Sequence, residues 1–391
     1  MQNHLVQHSK LVSLIFLVGI SNAIISVFVL YFSQLQGIQS WQIMYLQSSF
    51  FMCYFLVVPS GFLLLQYIKY ESLLRATCLI CGLLAATMGI CMHYQKTQSL
   101  YVFLSLFAVF LGLLRVIVNT QLLKLQKEPN YYSWIKYIMC ADTVGAILCP
   151  TIARPFLLSA QTIWGGPLKF FGFVCTLFLL IRCISTQPQT TPPKKTNKVI
   201  VSSMSLIQQA MRTPQIYSGF IVLFLFLGLE FSTPIFIGLL NPNDSALSSS
   251  ALISAYWSFI LIGRVFIGLR LSLTPQQHIY LGTLGGLFYM MLCLCLPKIW
   301  QPIALTALGL FNANLYPSIF SLYTKNIPEH LHYLTSGIFM TALCGGAWIP
   351  YIQSLLANHI GYQNSFCVIA TCYIILIAQT TQLSEPQVQT K

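Results

Sequence analysis

Three ionisable side chains, Arg115, Asp142 and Glu230, stand in otherwise apolar stretches of this chain. A charge left alone in hydrocarbon costs roughly 3 kcal/mol even on insertion scales, so each calls for a partner or a task. A carboxylate can take up and release a proton, and a guanidinium can hold a carboxylate or an anion. Arg115 and Asp142 fall near the middle of neighbouring apolar runs, where they can neutralise one another. Glu230 has no charged neighbour in its own run, so it is the preferred proton carrier, with Asp142 as the second candidate.

Polar uncharged groups form a second set. Asn22, Gln47, Asn119, Asn312, Asn314 and Gln353 lie within apolar runs, where an amide facing lipid is costly. Arg115 and these amides, with the ring of Tyr256, are the candidates for binding a small polar solute. Amides exchange hydrogen bonds with hydroxyls, and aromatic faces cover C–H surfaces. Trp257 and Tyr316 are further aromatic candidates. The competing reading of the amides is hydrogen bonding between helices. Arg264, near one end of its run, is read as a gate or helix anchor.

These residues must be held by helices that cross a membrane. The chain of 391 residues is 56% apolar and only 7% charged, against about a quarter charged in a soluble domain. Runs of about 20 apolar residues lie near 11–33, 42–66, 72–93, 99–123, 134–157, 166–184, 215–240, 248–271, 277–297, 300–324, 333–358 and 362–381. This is an all-α membrane protein of twelve spans in two six-helix bundles. Residues 1–10 are a tail, 11–184 the first bundle, 185–213 a polar linker, 214–381 the second bundle, and 382–391 a second tail. Within the linker, Ser203–Arg212 can form an amphipathic helix on the membrane surface.

Lys and Arg set the orientation. With the N-terminus in the cytoplasm, 14 of the 20 fall on or near the cytoplasmic side and 4 outside, which places both termini in the cytoplasm. A bacterial inner membrane fits this arrangement. The net charge of +13 is spread over separate loops and forms no nucleic-acid patch. Cys78 and Cys81, and His330 and His332, are isolated pairs, so neither a metal nor a cofactor is expected.

An internal repeat shows in two places. Gly145-Ala146 precedes Pro150, and Gly345-Gly346-Ala347 precedes Pro350. The Gly-to-Pro spacing is the same, as expected of two related halves.

Several strings resemble the fucose–proton symporter family of the major facilitator superfamily, which includes glucose/galactose porters. The second run carries Gln47-Ser48, Phe50, Tyr54-Phe55, Pro59 and Gly61. The tenth carries Tyr316-Pro317-Ser318-Ile319-Phe320-Ser321-Leu322. Gly228-x-Glu230, Asn22, Asn119 and Gly263-Arg264 match locally. The resemblance implies two helical bundles, alternating access and a sugar-like solute bound between the halves. The chain departs from the family where fucose carriers have an Asp in the first span and a Glu in the fourth. Here those places hold Ser26 and Arg115, and Asp142 replaces an Asn of the fifth.

The expectation is therefore a secondary transporter of a sugar or similar small polar solute, functional as a monomer in the lipid bilayer, with protons as the candidate coupling ion. An exporter, or a carrier of an anionic metabolite or chelator, is the alternative. An exporter pattern of Gly-Pro-x-x-Gly in the fifth span does not fit, because Thr151-Ile152-Ala153-Arg154 follows Pro150. An integral-membrane enzyme is the remote alternative, since the acids Glu71, Glu128, Asp244 and Glu329 are scattered over separate loops.

Overall fold

The computed structural model describes residues 2–33, 40–94, 96–124, 131–158, 166–184, 209, 212–241, 249–271, 273–325, 327–328 and 331–384. Most of the expected linker, the proposed surface helix within it, His330 and the end of the second tail lie outside the described residues.

Twelve helical rods run in order among the described residues. In the first half they are α1 (Gln2–Ser33), α2 (Ser40–Tyr67), α3 (Tyr70–His93), α4 (Thr97–Lys124), α5 (Tyr131–Leu158) and α6 (Gly166–Ile184). In the second half α7 is Pro214–Leu239, and α8 is Ser249–Ile262 continued by a π-helical turn, Gly263–Leu269. α9 is Pro275–Leu294. α10 is broken into Gln301–Thr306, Leu308–Asn312 and Leu315–Thr324. α11 is His332–Thr341 and Gly345–Ile360, joined by a 3-10 turn, and α12 is Cys367–Ser384. α1 starts before the expected position, within the stretch read as a tail.

Helices form because hydrocarbon offers the backbone no other hydrogen-bond partners. Seven helices or helical rods among the described residues are long and apolar enough to cross a membrane, and Lys10–Ser26, Met44–Val58, Tyr137–Ala153 and Asn364–Thr380 are shorter apolar helices. α9 starts at Pro275, with Thr274 and Gln277 exchanging side-chain bonds to each other's backbone N–H. That box satisfies two of the free donors at a helix start.

Within the halves, α1 packs on α5 and α3 on α6, while α7 packs on α11 and α10 on α9. Across the halves, α5 meets α8 and α2 meets α11. Two matching contacts explain the repeated glycines. A Cβ on Gly145 of α5 would strike the Phe16 carbonyl of α1, and a Cβ on Gly345 of α11 would strike the Phe224 carbonyl of α7. The same close approach is built twice, once in each half.

The face of the membrane where α1 begins is called here the near face, and the other the far face. Within each half short links make successive helices antiparallel, and the pairs Thr151–Ser254 and Met139–Arg264 set α8 antiparallel to α5 across the halves. Toward the far face, Ser48 Oγ of α2 donates to the Ala347 carbonyl of α11 at 2.8 Å. Thr151 Oγ1 of α5 lies 3.1 Å from Ser254 Oγ of α8. Toward the near face, Asn119 Nδ2 of α4 contacts Met340 Sδ of α11. The halves therefore touch on both sides of the middle layer.

Candidate functional site

The middle layer holds the buried charges. Arg115 Nη1 of α4 lies 3.3 Å from Asp142 Oδ1 of α5. Arg264 Nη2 of α8 lies 3.9 Å from Glu230 Oε1 of α7. All four line one small cavity, together with Asn22, Ser26, Phe231, Trp257 and Tyr316. The cavity measures about 30 Å³, room for about two waters. In this conformation it is small and only partly enclosed.

The pairing has a simple consequence. Arg115 and Asp142 both belong to the first half, and Glu230 and Arg264 both belong to the second. Each half carries its own neutral pair, so parting the halves breaks neither. Separating either pair would strand a buried charge, at a cost of about 3–5 kcal/mol.

Glu230 departs from expectation. Its own helix supplies no charge, but α8 places Arg264 beside it. At 3.9 Å the contact is an ion pair without a hydrogen bond, and Glu230 Oε1 accepts none from the described residues. Arg264 departs further. It is not a peripheral anchor: it is 3% exposed, lines the cavity and reaches across to the first half. Its Nε donates to the Ala313 carbonyl of α10 at 3.0 Å. Its Nη1 donates to the Met139 carbonyl and to Thr143 Oγ1, both on α5.

The remaining candidates divide. Asn22 lines the cavity beside Ser26, and Arg115 lines it from α4. The others lie outside its wall. Gln47 Nε2 donates to the Gly346 carbonyl across the halves at 3.2 Å. Asn119 contacts Met340. Tyr256 Oη accepts from Asn312 Nδ2 at 2.9 Å, while Tyr373 Oη donates to Asn312 Oδ1 at 2.6 Å. Asn314 Nδ2 donates to the Gly263 carbonyl at 3.1 Å. Gln353 Oε1 accepts from Ser232 Oγ at 2.6 Å. These side chains bond helix to helix, the competing reading of the amides.

Sequence reasoning missed Tyr373, Thr143 and Ser232 as the partners of those groups. No local pattern marks them. It also missed Phe231, which lines the cavity and packs on Phe51 of the other half with ring centroids 4.6 Å apart.

A bundle of membrane-crossing rods with an ionisable cavity between two similar halves defines a membrane carrier. The family model described as Major Facilitator Superfamily matches residues 11–351, and the chain belongs to that superfamily. It is a multi-pass membrane transporter, not an enzyme. It is similar to a protein named glucose/galactose transporter from Brucella abortus, 26% identical over 361 residues, covering 85% of this chain and 83% of that one. A putative glucose/galactose transporter of Helicobacter pylori is 27% identical over 217 residues, covering 54% of this chain and 51% of that one. Among solved structures, the transporter FucP in the outward conformation superposes with a TM-score of 0.78 at 17% identity, covering 97% of this chain and 99% of that one. A D-xylose–proton symporter superposes at 0.70 with 13% identity, covering 99% of each chain. These superpositions support the fold of two six-helix bundles.

Proposed function

We propose that the chain carries a neutral, hydroxylated solute of monosaccharide size across the membrane by alternating access, and that Glu230 couples it to protons. The observation that carries this reading is the self-neutralising charge layer. Both guanidiniums face a carboxylate of their own half, so with Glu230 ionised the cavity offers an anion no surplus positive charge. That weighs against an anionic metabolite or chelator. The relatives named as glucose/galactose transporters support a sugar.

Asn22, Ser26 and Tyr316 supply hydrogen bonds in the cavity, and Trp257 and Phe231 supply apolar faces. Residues 11–184 rock against 214–381, so that contacts near one face open while those near the other close. The cavity is too small for a hexose as it stands, and this movement enlarges it. The distribution of Lys and Arg supports a cytoplasmic near face, in a bacterial inner membrane. The residues that line the cavity all come from one chain, which supports a functional monomer.

The test is uptake into proteoliposomes with a panel of hexoses, organic acids and chelators, each with and without an imposed pH gradient. Saturable uptake of hexoses alone, raised by the gradient, is the expected result. Uptake confined to anions would sink the reading.

A further inference from the structure

The two ion pairs leave the halves free to part, yet Arg264 crosses the boundary. Its guanidinium is divided among three helices. Nε is held by the Ala313 carbonyl of α10, within its own half. Nη1 is held by Met139 and Thr143 of α5, in the opposite half. Nη2 faces Glu230 across 3.9 Å, just beyond hydrogen-bond reach. The α5 acceptors are neutral, whereas Glu230 is a carboxylate when ionised. A hydrogen bond between two charged groups is roughly twice as strong as one between neutral groups.

We propose that Arg264 is a latch between the halves and that the proton on Glu230 sets it, an inference that rests on Glu230 as the coupling site. When Glu230 carries the proton, α5 offers the better acceptors and the latch joins α8 to α5. When Glu230 gives up the proton to water, its carboxylate draws Nη1 and Nη2 inward and α5 is released. Nε, kept on Ala313, is the pivot. Arg264 is the second residue of the π-helical turn Gly263–Leu269. π-turns recur at functional sites. The other ionisable groups facing Glu230 are Arg115, Asp142, Tyr256, Tyr316 and Tyr373. Arg115 and Asp142 form a neutral pair, and among these groups Arg264 is the cation closest to Glu230.

The latch predicts where loss of the Arg264 side chain is felt. Arg264 lies just to the near-face side of the middle of α8, Met139 just to the near-face side of the middle of α5, and Thr143 at the middle of α5. Releasing it opens that face and leaves the Thr151–Ser254 contact at the far face intact.

Hydrogen–deuterium exchange of the purified full chain, read by peptide at one alkaline pH, tests this without any substrate. Glu230→Gln, which fixes the protonated form, is expected to slow exchange in 131–143 and 263–271 by about tenfold, or about 1.4 kcal/mol of opening free energy. Arg264→Gln, like wild type at this pH, lacks a closed latch, so it is expected to exchange these segments at about the wild-type rate, faster than Glu230→Gln, and to leave 147–158 and 249–258 unchanged. The double variant is expected to match Arg264→Gln, because without the latch the proton has nothing to set. Arg264→Lys keeps the charge but cannot hold three acceptors at once, and in the Glu230→Gln background it is expected to fall between Glu230→Gln and the double variant; it carries the test should Arg264→Gln fold poorly. No change in Glu230→Gln, equal acceleration at both faces when Arg264 is replaced in the Glu230→Gln background, or a double variant that behaves like Glu230→Gln would each overturn the latch. None of these outcomes depends on which solute is carried, so the uptake panel stands or falls separately.

Discussion

Arg115 of α4 and Asp142 of α5 form an ion pair at 3.3 Å inside the first half, with the Arg side chain 9% and the Asp side chain 19% exposed. Asp142→Asn leaves the Arg115 charge without its counter-ion in a low-dielectric cavity. The expected loss is about 3–5 kcal/mol, less the share that cavity water recovers. Arg115→Gln combined with Asp142→Asn removes both charges and is expected to regain most of it. Thermal unfolding of the purified variants, followed by intrinsic fluorescence, checks the order: wild type, then the double variant, then Asp142→Asn. A double variant less stable than the single one would show that the pair does more than cancel itself.

Glu230 is the carboxylate whose state is expected to change during transport. Glu230→Gln keeps the shape and removes the charge. Solute-for-solute exchange without a gradient is expected to persist in proteoliposomes, at a lower rate because the near face opens less often. Accumulation driven by an acidic exterior is expected to disappear, because the inward proton flow no longer has a carrier. In wild type the sign is fixed: accumulation rises as the outside is made more acidic than the inside. Undiminished uphill uptake by Glu230→Gln would remove this residue from the coupling.

Much of this was legible in the sequence, and the failures share a cause. Spans announce themselves as long apolar runs, and the Arg115–Asp142 pair follows from the high cost of a lone charge. Which way a polar residue points is not announced. In water, apolar residues mark the inward face of a helix; in lipid, both faces are apolar. Asn312 and Gln353 therefore looked like cavity groups, while the structure bonds them to Tyr256, Tyr373 and Ser232. Arg264 was misplaced for a second reason. A π-turn shifts every later side chain around the helix axis, and no residue pattern in Gly263–Leu269 signals one.

The glycines that join α1 to α5 and α7 to α11 allow a paired test. Gly145→Val and Gly345→Val each push side-chain atoms against a carbonyl of the neighbouring helix. Backbone cannot step aside as a flexible side chain can, and overpacking of this kind costs roughly 1–3 kcal/mol or more. Both variants are expected to lower the yield of folded protein in size-exclusion profiles. Gly172→Ala in α6 meets nothing within 4 Å and is expected to behave as wild type. Equal tolerance at all three positions would contradict the close helix contacts.

Asn312 links two phenols in the second half. Asn312→Leu leaves the hydroxyls of Tyr256 and Tyr373 buried without the partner they share. Each stranded polar group costs about 1–3 kcal/mol, so thermal stability is expected to fall clearly. Tyr373→Phe removes one hydroxyl and one bond, and is expected to cost less. Because the trio lies outside the cavity wall, the KM of the Tyr373→Phe variant is expected to match wild type. A large rise in KM with unchanged stability would instead place this trio at the solute.

Thr151 of α5 and Ser254 of α8 meet across the two halves toward the far face, their hydroxyl oxygens 3.1 Å apart. Sulfur atoms placed at these positions need to close by only about 1 Å to form a bond of roughly 2.05 Å. Thr151→Cys with Ser254→Cys is therefore expected to cross-link under mild oxidant, with the protein kept closed at this face. Alternating access requires the contact to open once in every cycle. Exchange in proteoliposomes is thus expected to stop on oxidation and to return with a reductant, while each single variant and the wild type, with its 13 native cysteines, are unaffected by either. The cross-link itself, confirmed by mass spectrometry of the joined peptides, separates a locked carrier from a damaged one. Continued exchange by a fully cross-linked protein would mean that the halves do not part here, and the rocking movement would have to be replaced by motion confined to the near face.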